Sequence, residues 1–94
     1  LTMINYHLLV AGRVQGVGFR WATLEIANEL GLVGWVKNRA DGQVEIVVQG
    51  QHAAVRTFLK RIQAGPNRWA QVDRVQVKQE SLADFADFSI REGF

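Results

Sequence analysis

The sequence predicts an α+β fold: one antiparallel β-sheet with two helices packed on one face, in the order β-α-β-β-α-β. Three observations carry this expectation. Two segments place apolar residues at helical spacing, and two strand-like segments with an Asp-Gly turn between them separate the helices. The chain has 94 residues, 48% of them apolar, which is enough for one core and leaves nothing for a second. Residues 1–94 are therefore read as a single domain, with Leu1 and Thr2 as a remnant ahead of a start at Met3.

Tyr6 to Ala11 is short, apolar and rich in strand formers, and it stops at Gly12, so it reads as a buried first strand. After the glycine-punctuated stretch Gly12 to Gly18, Phe19, Ala22, Ile26 and Leu30 recur at helical spacing, and Gly31 stands where a helix-ending glycine belongs. Val33 to Asn38 forms a second strand. Asp41-Gly42 marks a tight turn, and Val44, Ile46 and Val48 alternate with polar residues down a third strand, which makes a hairpin with the second. Val55, Phe58, Leu59 and Ile62 define the second helix, with Arg56, Lys60 and Arg61 on its solvated side and Gly65-Pro66 at its end. Val72, Val75 and Val77 suggest a fourth strand, and Phe88 with Ile90 a short fifth piece beyond a polar connector from Gln79 to Asp87. This order matches the split βαβ, ferredoxin-like sandwich.

Composition removes whole classes of function. With no Cys there is no disulfide framework, no thiolate metal site and no cysteinyl-phosphate chemistry. His7 and His52 are the only histidines, they lie far apart, and no metal-ligand spacing surrounds either, so neither metal nor cofactor is expected. Eleven basic against nine acidic residues leave a formal charge of +2, too small to announce a polyanion but compatible with a small anionic ligand. No apolar run has the length of a membrane span or the flanks of a secretion signal, so a cytoplasmic protein without membrane contacts is expected.

The chemistry concentrates in Gly12-Arg13-Val14-Gln15-Gly16-Val17-Gly18-Phe19-Arg20, which joins a strand to a helix. Its three glycines let the backbone curl so that its N–H groups converge, and such a nest binds anions. The helix that follows adds about half a positive charge at its N-terminus. The spacing fits neither the Gly-Lys-Ser/Thr phosphate loop nor the dinucleotide fingerprint. Arg20 stands in the first helical turn, where the dipole disfavours a cation by about 0.3 to 1 kcal/mol. A bound phosphate would reverse that sign, because a guanidinium fork holds two of its oxygens at once; on position alone, Arg20 reads equally well as a solvated surface residue. Asn38 at the end of strand two reads first as a turn former. A right-handed crossover, however, makes strands one and two parallel and brings Asn38 to the edge that carries the glycine-rich loop, where its amide is placed to hold a water.

These residues resemble a family. The run from Gly12 to Arg20 looks like the first signature of the acylphosphatases, and Gly34-Trp35-Val36-Lys37-Asn38 with Gly42, Val44 and Gly50 looks like the second. The resemblance implies a hydrolase acting on small acyl phosphates without metal, cofactor or covalent intermediate; nothing in the pattern demands more than a monomer. It implies that Arg20 binds the substrate phosphate, that the backbone amides of Gln15, Gly16, Val17, Gly18, Phe19 and Arg20 cradle it, and that Asn38 orients the attacking water. Glu25 and Asp41 are expected to be bystanders. Three departures stand out: Gly18 where many relatives carry an aromatic or Cys, which would loosen the cradle; Arg39 where some carry Thr, which would widen the positive field; and Trp69 in the loop after Pro66.

Two rival readings remain at this point. One is a non-catalytic anion-binding module, or a domain cut from a larger carbamoyl-phosphate-using enzyme. The other is single-stranded RNA binding, since RNA-recognition modules share the element order but read bases with strand aromatics. Tyr6 is the one candidate on strand one and strand three has none, so nucleic acid is not expected. Trp21, Trp35 and Trp69 are expected to fill or rim the core.

Overall fold

The computed structural model describes residues 2–92. The elements are β1 (Met3–Arg13), α1 (Phe19–Glu29), β2 (Val33–Asn38), β3 (Val44–Gln51), α2 (His52–Ala64), β4 (Gln71–Glu80) and β5 (Phe88–Arg91). Alternation decides which face each strand buries. Leu8 and Val10 of β1, Val36 of β2, and Val44, Ile46 and Val48 of β3 face the helices, where they meet Phe19, Ile26 and Ala27 of α1 and Val55, Phe58 and Ile62 of α2. Each large side chain so buried contributes about 1.5 to 3 kcal/mol.

The strand order is β4-β1-β3-β2-β5. Ile46 of β3 stands opposite both Leu8 and Val36 in antiparallel register, so β1 and β2 run parallel to each other on either side of β3. Their C-terminal ends therefore share one edge of the domain. The fifth strand refines the expected antiparallel sheet: β5 pairs parallel with β2, Gly34 opposite Phe88 and Lys37 opposite Arg91, so the sheet is mixed. Its direction follows from its route. The chain leaves β4 at one edge, crosses the face without helices and enters β5 at the other edge. Two buried amides hold that crossing: Asn5 donates to the Ser81 carbonyl at 2.9 Å, and Gln49 donates to the Ala83 carbonyl at 2.8 Å while accepting from the Ala83 N–H at 2.9 Å.

Helix α1 ends as its glycine suggests. The Gly31 N–H bonds to Asn28 O at 3.2 Å and the Leu32 N–H to Ala27 O at 2.9 Å, the paired bonds of a Schellman motif, with Leu32 tucked into the core. Arg61 of α2 reaches Glu29 of α1 at 2.8 Å, so part of the basic face links the helices. Phe88 closes the core against Phe58, ring centroids 6.2 Å apart.

The tryptophans depart from expectation. Trp21 and Trp69 are 63% and 61% exposed and fill no core. The buried stripe of α1 runs through Phe19, Thr23, Ile26 and Ala27, and a residue two positions from Phe19 points away from it. Trp69 lies in the loop between α2 and β4, where Arg68 stacks on its ring at 4.6 Å. Trp35 is half-buried on the open face, with the Arg91 guanidinium 4.5 Å from its ring centroid. Tyr6 is partly buried and packs against the core.

Candidate active site

Val14, buried in the core, anchors the loop between β1 and α1. The backbone of the loop then turns through positive φ at Gly16 and Gly18, at 76° and 73°. Gly18 is the N-cap residue of α1, its left-handed conformation one that a side chain adopts only under strain, and no side chain caps the helix there. The first bond from the cap runs from Ala22 N to Gly18 O at 3.1 Å, so the N–H groups of Phe19, Arg20 and Trp21 have no partner within the helix. The positive end of α1 thus opens onto the loop.

Two side chains fix this loop from opposite sides. Gln15 donates both amide hydrogens across the β2–β3 turn, to Arg39 O at 2.8 Å and Gln43 O at 2.9 Å. Asn67, in the loop after α2, donates to Val17 O at 2.9 Å. Sequence reading placed the backbone of Gln15 in the cradle but missed what its side chain does, and it missed Asn67 altogether. Only the sandwich topology brings positions 39, 43 and 67 to this loop, and no local pattern in the sequence marks them.

The structure brings the two singled-out side chains to the same edge. Arg20 lies in the first turn of α1, its side chain 31% exposed, and its only close acidic partner among the described residues is Glu92, at 3.5 Å and itself 83% exposed. Solvent weakens so long and open a contact. Asn38 is the last residue of β2, and alternation from buried Val36 puts its side chain on the helix side of the sheet, toward α1 and the loop. Its Oδ1 is buried and has no hydrogen-bond partner among the described residues. A buried acceptor left unmet costs about 1 to 3 kcal/mol, and Asn38 shares this state with Asn5 Oδ1, Thr23 Oγ1 and Gln43 Oε1.

The charges around the turn neutralise one another. Arg39 donates from Nε to Asp41 at 3.1 Å and lies 3.9 Å from Glu45, which in turn bonds His7 at 2.6 Å. The positive field expected of Arg39 is therefore largely spent within the turn. Asp41 accepts from the Gln43 backbone N–H at 3.1 Å and from its side chain at 3.0 Å; these bonds, the backbone one foremost, and the Arg39 guanidinium hold its carboxyl below the usual value. Lys37, Arg39, Asp41 and Glu45 line a shallow basin beside the turn. Glu25 is exposed on α1, and among the described residues neither it nor Asp41 makes a hydrogen bond or ion pair with Arg20 or Asn38. Among the described residues no three His, Asp or Glu side chains gather where they could hold a metal ion, and no helix is long and apolar enough to cross a membrane.

Comparison with known proteins gives this site its context. The family model described as Acylphosphatase matches residues 6–90. An acylphosphatase of Moorella thermoacetica is 46% identical over 91 residues, covering 97% of both chains. The crystal structure of acylphosphatase from Bacillus subtilis superposes with a TM-score of 0.91 at 39% identity, covering 95% of this chain and 99% of that one. T. kodakarensis HypF contains a similar fold, with a TM-score of 0.84 and 33% identity, covering 96% of this chain but 12% of that protein. With the match extending over both signature segments and nearly every element of the sheet, the chain belongs to the acylphosphatase family.

Proposed function

We propose that this chain hydrolyses the carboxyl-phosphate bond of small acyl phosphates by direct attack of a water held by Asn38. The observation that carries this reading is the pairing, at one edge of the sheet, of a helix N-terminus without a side-chain cap and a buried amide oxygen without a hydrogen-bond partner, both among the described residues. The backbone amides from Gln15 to Arg20 and the Arg20 guanidinium hold the phosphoryl oxygens. Their charge offsets the dianion, and the guanidinium sits where the helix dipole would otherwise disfavour it. Asn38 Oδ1 accepts a hydrogen bond from the water and so turns the water's lone pair toward phosphorus.

The water's oxygen bonds to phosphorus while the bond from phosphorus to the acyl oxygen breaks, and the electron pair leaves with the carboxylate. The water's proton passes to an oxygen of the phosphoryl group itself, so the products are a carboxylate and dihydrogen phosphate. An acyl phosphate already carries a good leaving group, so positioning and charge stabilisation suffice without a strong base. Action as a monomer is part of this reading. Action in the cytoplasm is part of the same reading.

The likeness to part of T. kodakarensis HypF favours a second reading, in which the fold serves as one domain of a larger enzyme. Hydrolysis of benzoyl phosphate by the purified chain with excess EDTA tests whether the fold is catalytic by itself. The proposal expects turnover that survives the chelator, whereas a folded but inert chain would leave an anion-binding module as the better reading.

A further inference from the structure

We infer that Asn67 is a positioning residue for the phosphate cradle, locking the peptide between Val17 and Gly18 so that one N–H faces the bound phosphoryl group. The inference rests on the phosphate-binding reading above. Asn67 Nδ2 donates to Val17 O at 2.9 Å, while its Oδ1 accepts from Trp69 N at 3.0 Å and Ala70 N at 2.9 Å. The two N–H groups fix the amide's orientation, since only its nitrogen end remains to meet the Val17 carbonyl. A trans peptide is planar, with its C=O and N–H pointing in opposite directions. A Val17 carbonyl held toward Asn67 therefore turns the Gly18 N–H to the other side of the loop, into the nest at the head of α1. Gly18 has no side chain to restrain it and sits at φ 73°, so without this bond the peptide is free to rotate. The contact is close: a Cβ at position 18 would lie 3.6 Å from Asn67 Nδ2. Where the sequence suggested that Gly18 loosens the cradle, the loop after α2 supplies the missing restraint.

Two variants separate the bond to the loop from the turn around Asn67. Asn67→Asp keeps both acceptor contacts and loses the donor. Asn67→Ser keeps a shorter, uncharged acceptor that caps the turn but falls short of Val17. Inhibition by inorganic phosphate and KM for benzoyl phosphate are measured for both, with circular dichroism as the check on folding. Both variants should weaken phosphate inhibition about tenfold and raise KM in parallel, with kcat falling less, because the loss is in holding the phosphoryl group. In the wild type, titration with inorganic phosphate should shift the Gly18 amide resonance.

A phosphate inhibition constant within about twofold of wild type in Asn67→Ser, with Arg20→Ala strongly impaired, would overturn the role of Asn67 alone. So would a wild-type Gly18 resonance that stays still while others in the loop move. If Arg20→Ala also left phosphate inhibition unchanged, the phosphate-binding reading itself would fail.

Discussion

Replacing Gln15 with Ala should cut the tie between the phosphate loop and the hairpin that carries Asn38. The side chain makes two bonds, to Arg39 O and Gln43 O, at 2.8 and 2.9 Å. Each such bond contributes about 1 kcal/mol net. Neither carbonyl is orphaned by the change, because Gly42 N still donates to Arg39 O at 3.2 Å and Arg39 N to Gln43 O at 2.9 Å. The full desolvation penalty is thus avoided and the expected loss is about 2 kcal/mol, which for a domain of this size lowers Tm by about 10 °C. Arg39 directly follows Asn38, so the same change should let the Asn38 amide drift and, under the proposed mechanism, reduce turnover about tenfold at a temperature where the variant is still folded. Thermal unfolding by circular dichroism and benzoyl phosphate hydrolysis at 25 °C read the two effects separately. A Tm within about 2 °C of wild type with unchanged turnover would refute the tie.

Two further outcomes follow from the same geometry. Gly34→Ala should cost more than about 3 kcal/mol and leave little folded protein at 37 °C, because φ is 135° there and a Cβ would lie 1.9 Å from Val47 O; a variant with wild-type Tm would show that the β2–β3 contact is looser than described. The carboxyl of Asp41 sits below its usual value of 3.8 in the folded chain, so its contribution to stability is present above that value and disappears as pH falls through the lowered one. The urea midpoint of wild type should therefore exceed that of Asp41→Asn at pH 6, with the gap starting to close below about pH 4 and vanishing once pH is below the lowered value; a gap that does not change with pH would show that the Asp41 carboxylate gives no such stabilisation.

What the sequence could and could not reveal divides along the range of the interactions. Helix α2 and the β2–β3 hairpin were legible because period and turn chemistry are local, as were the glycine-rich loop and the cap at Gly31. The parallel pairing of β5 was not, since it depends on Asn5 and Gln49 holding a connector that crosses the open face. The tryptophans misled for a related reason: hydrophobic residues belong in a core by composition, but Trp21 falls outside the buried stripe of its helix. Gly34 reads in the sequence as part of a signature, while its close approach to Val47 O is a matter of strand packing. At the candidate site, Arg20 drew notice as a cation at a helix N-terminus, whereas Asn38 read locally as a turn former and reached the loop's edge only through the crossover topology. Gln15 and Asn67 act through side chains that reach 24 and 50 residues along the chain, a span that carries no local trace.

The division of labour between Arg20 and Asn38 is the centre of the account, and steady-state kinetics of Asn38→Ala and Arg20→Ala on benzoyl phosphate test it most directly. Asn38→Ala should lower kcat about a hundredfold while KM and inhibition by inorganic phosphate stay near wild type, because it misplaces the water and leaves the phosphate cradle whole. Arg20→Ala should weaken phosphate inhibition and raise KM as well as lowering kcat. A folded Asn38→Ala variant that turns over at the wild-type rate would contradict the account.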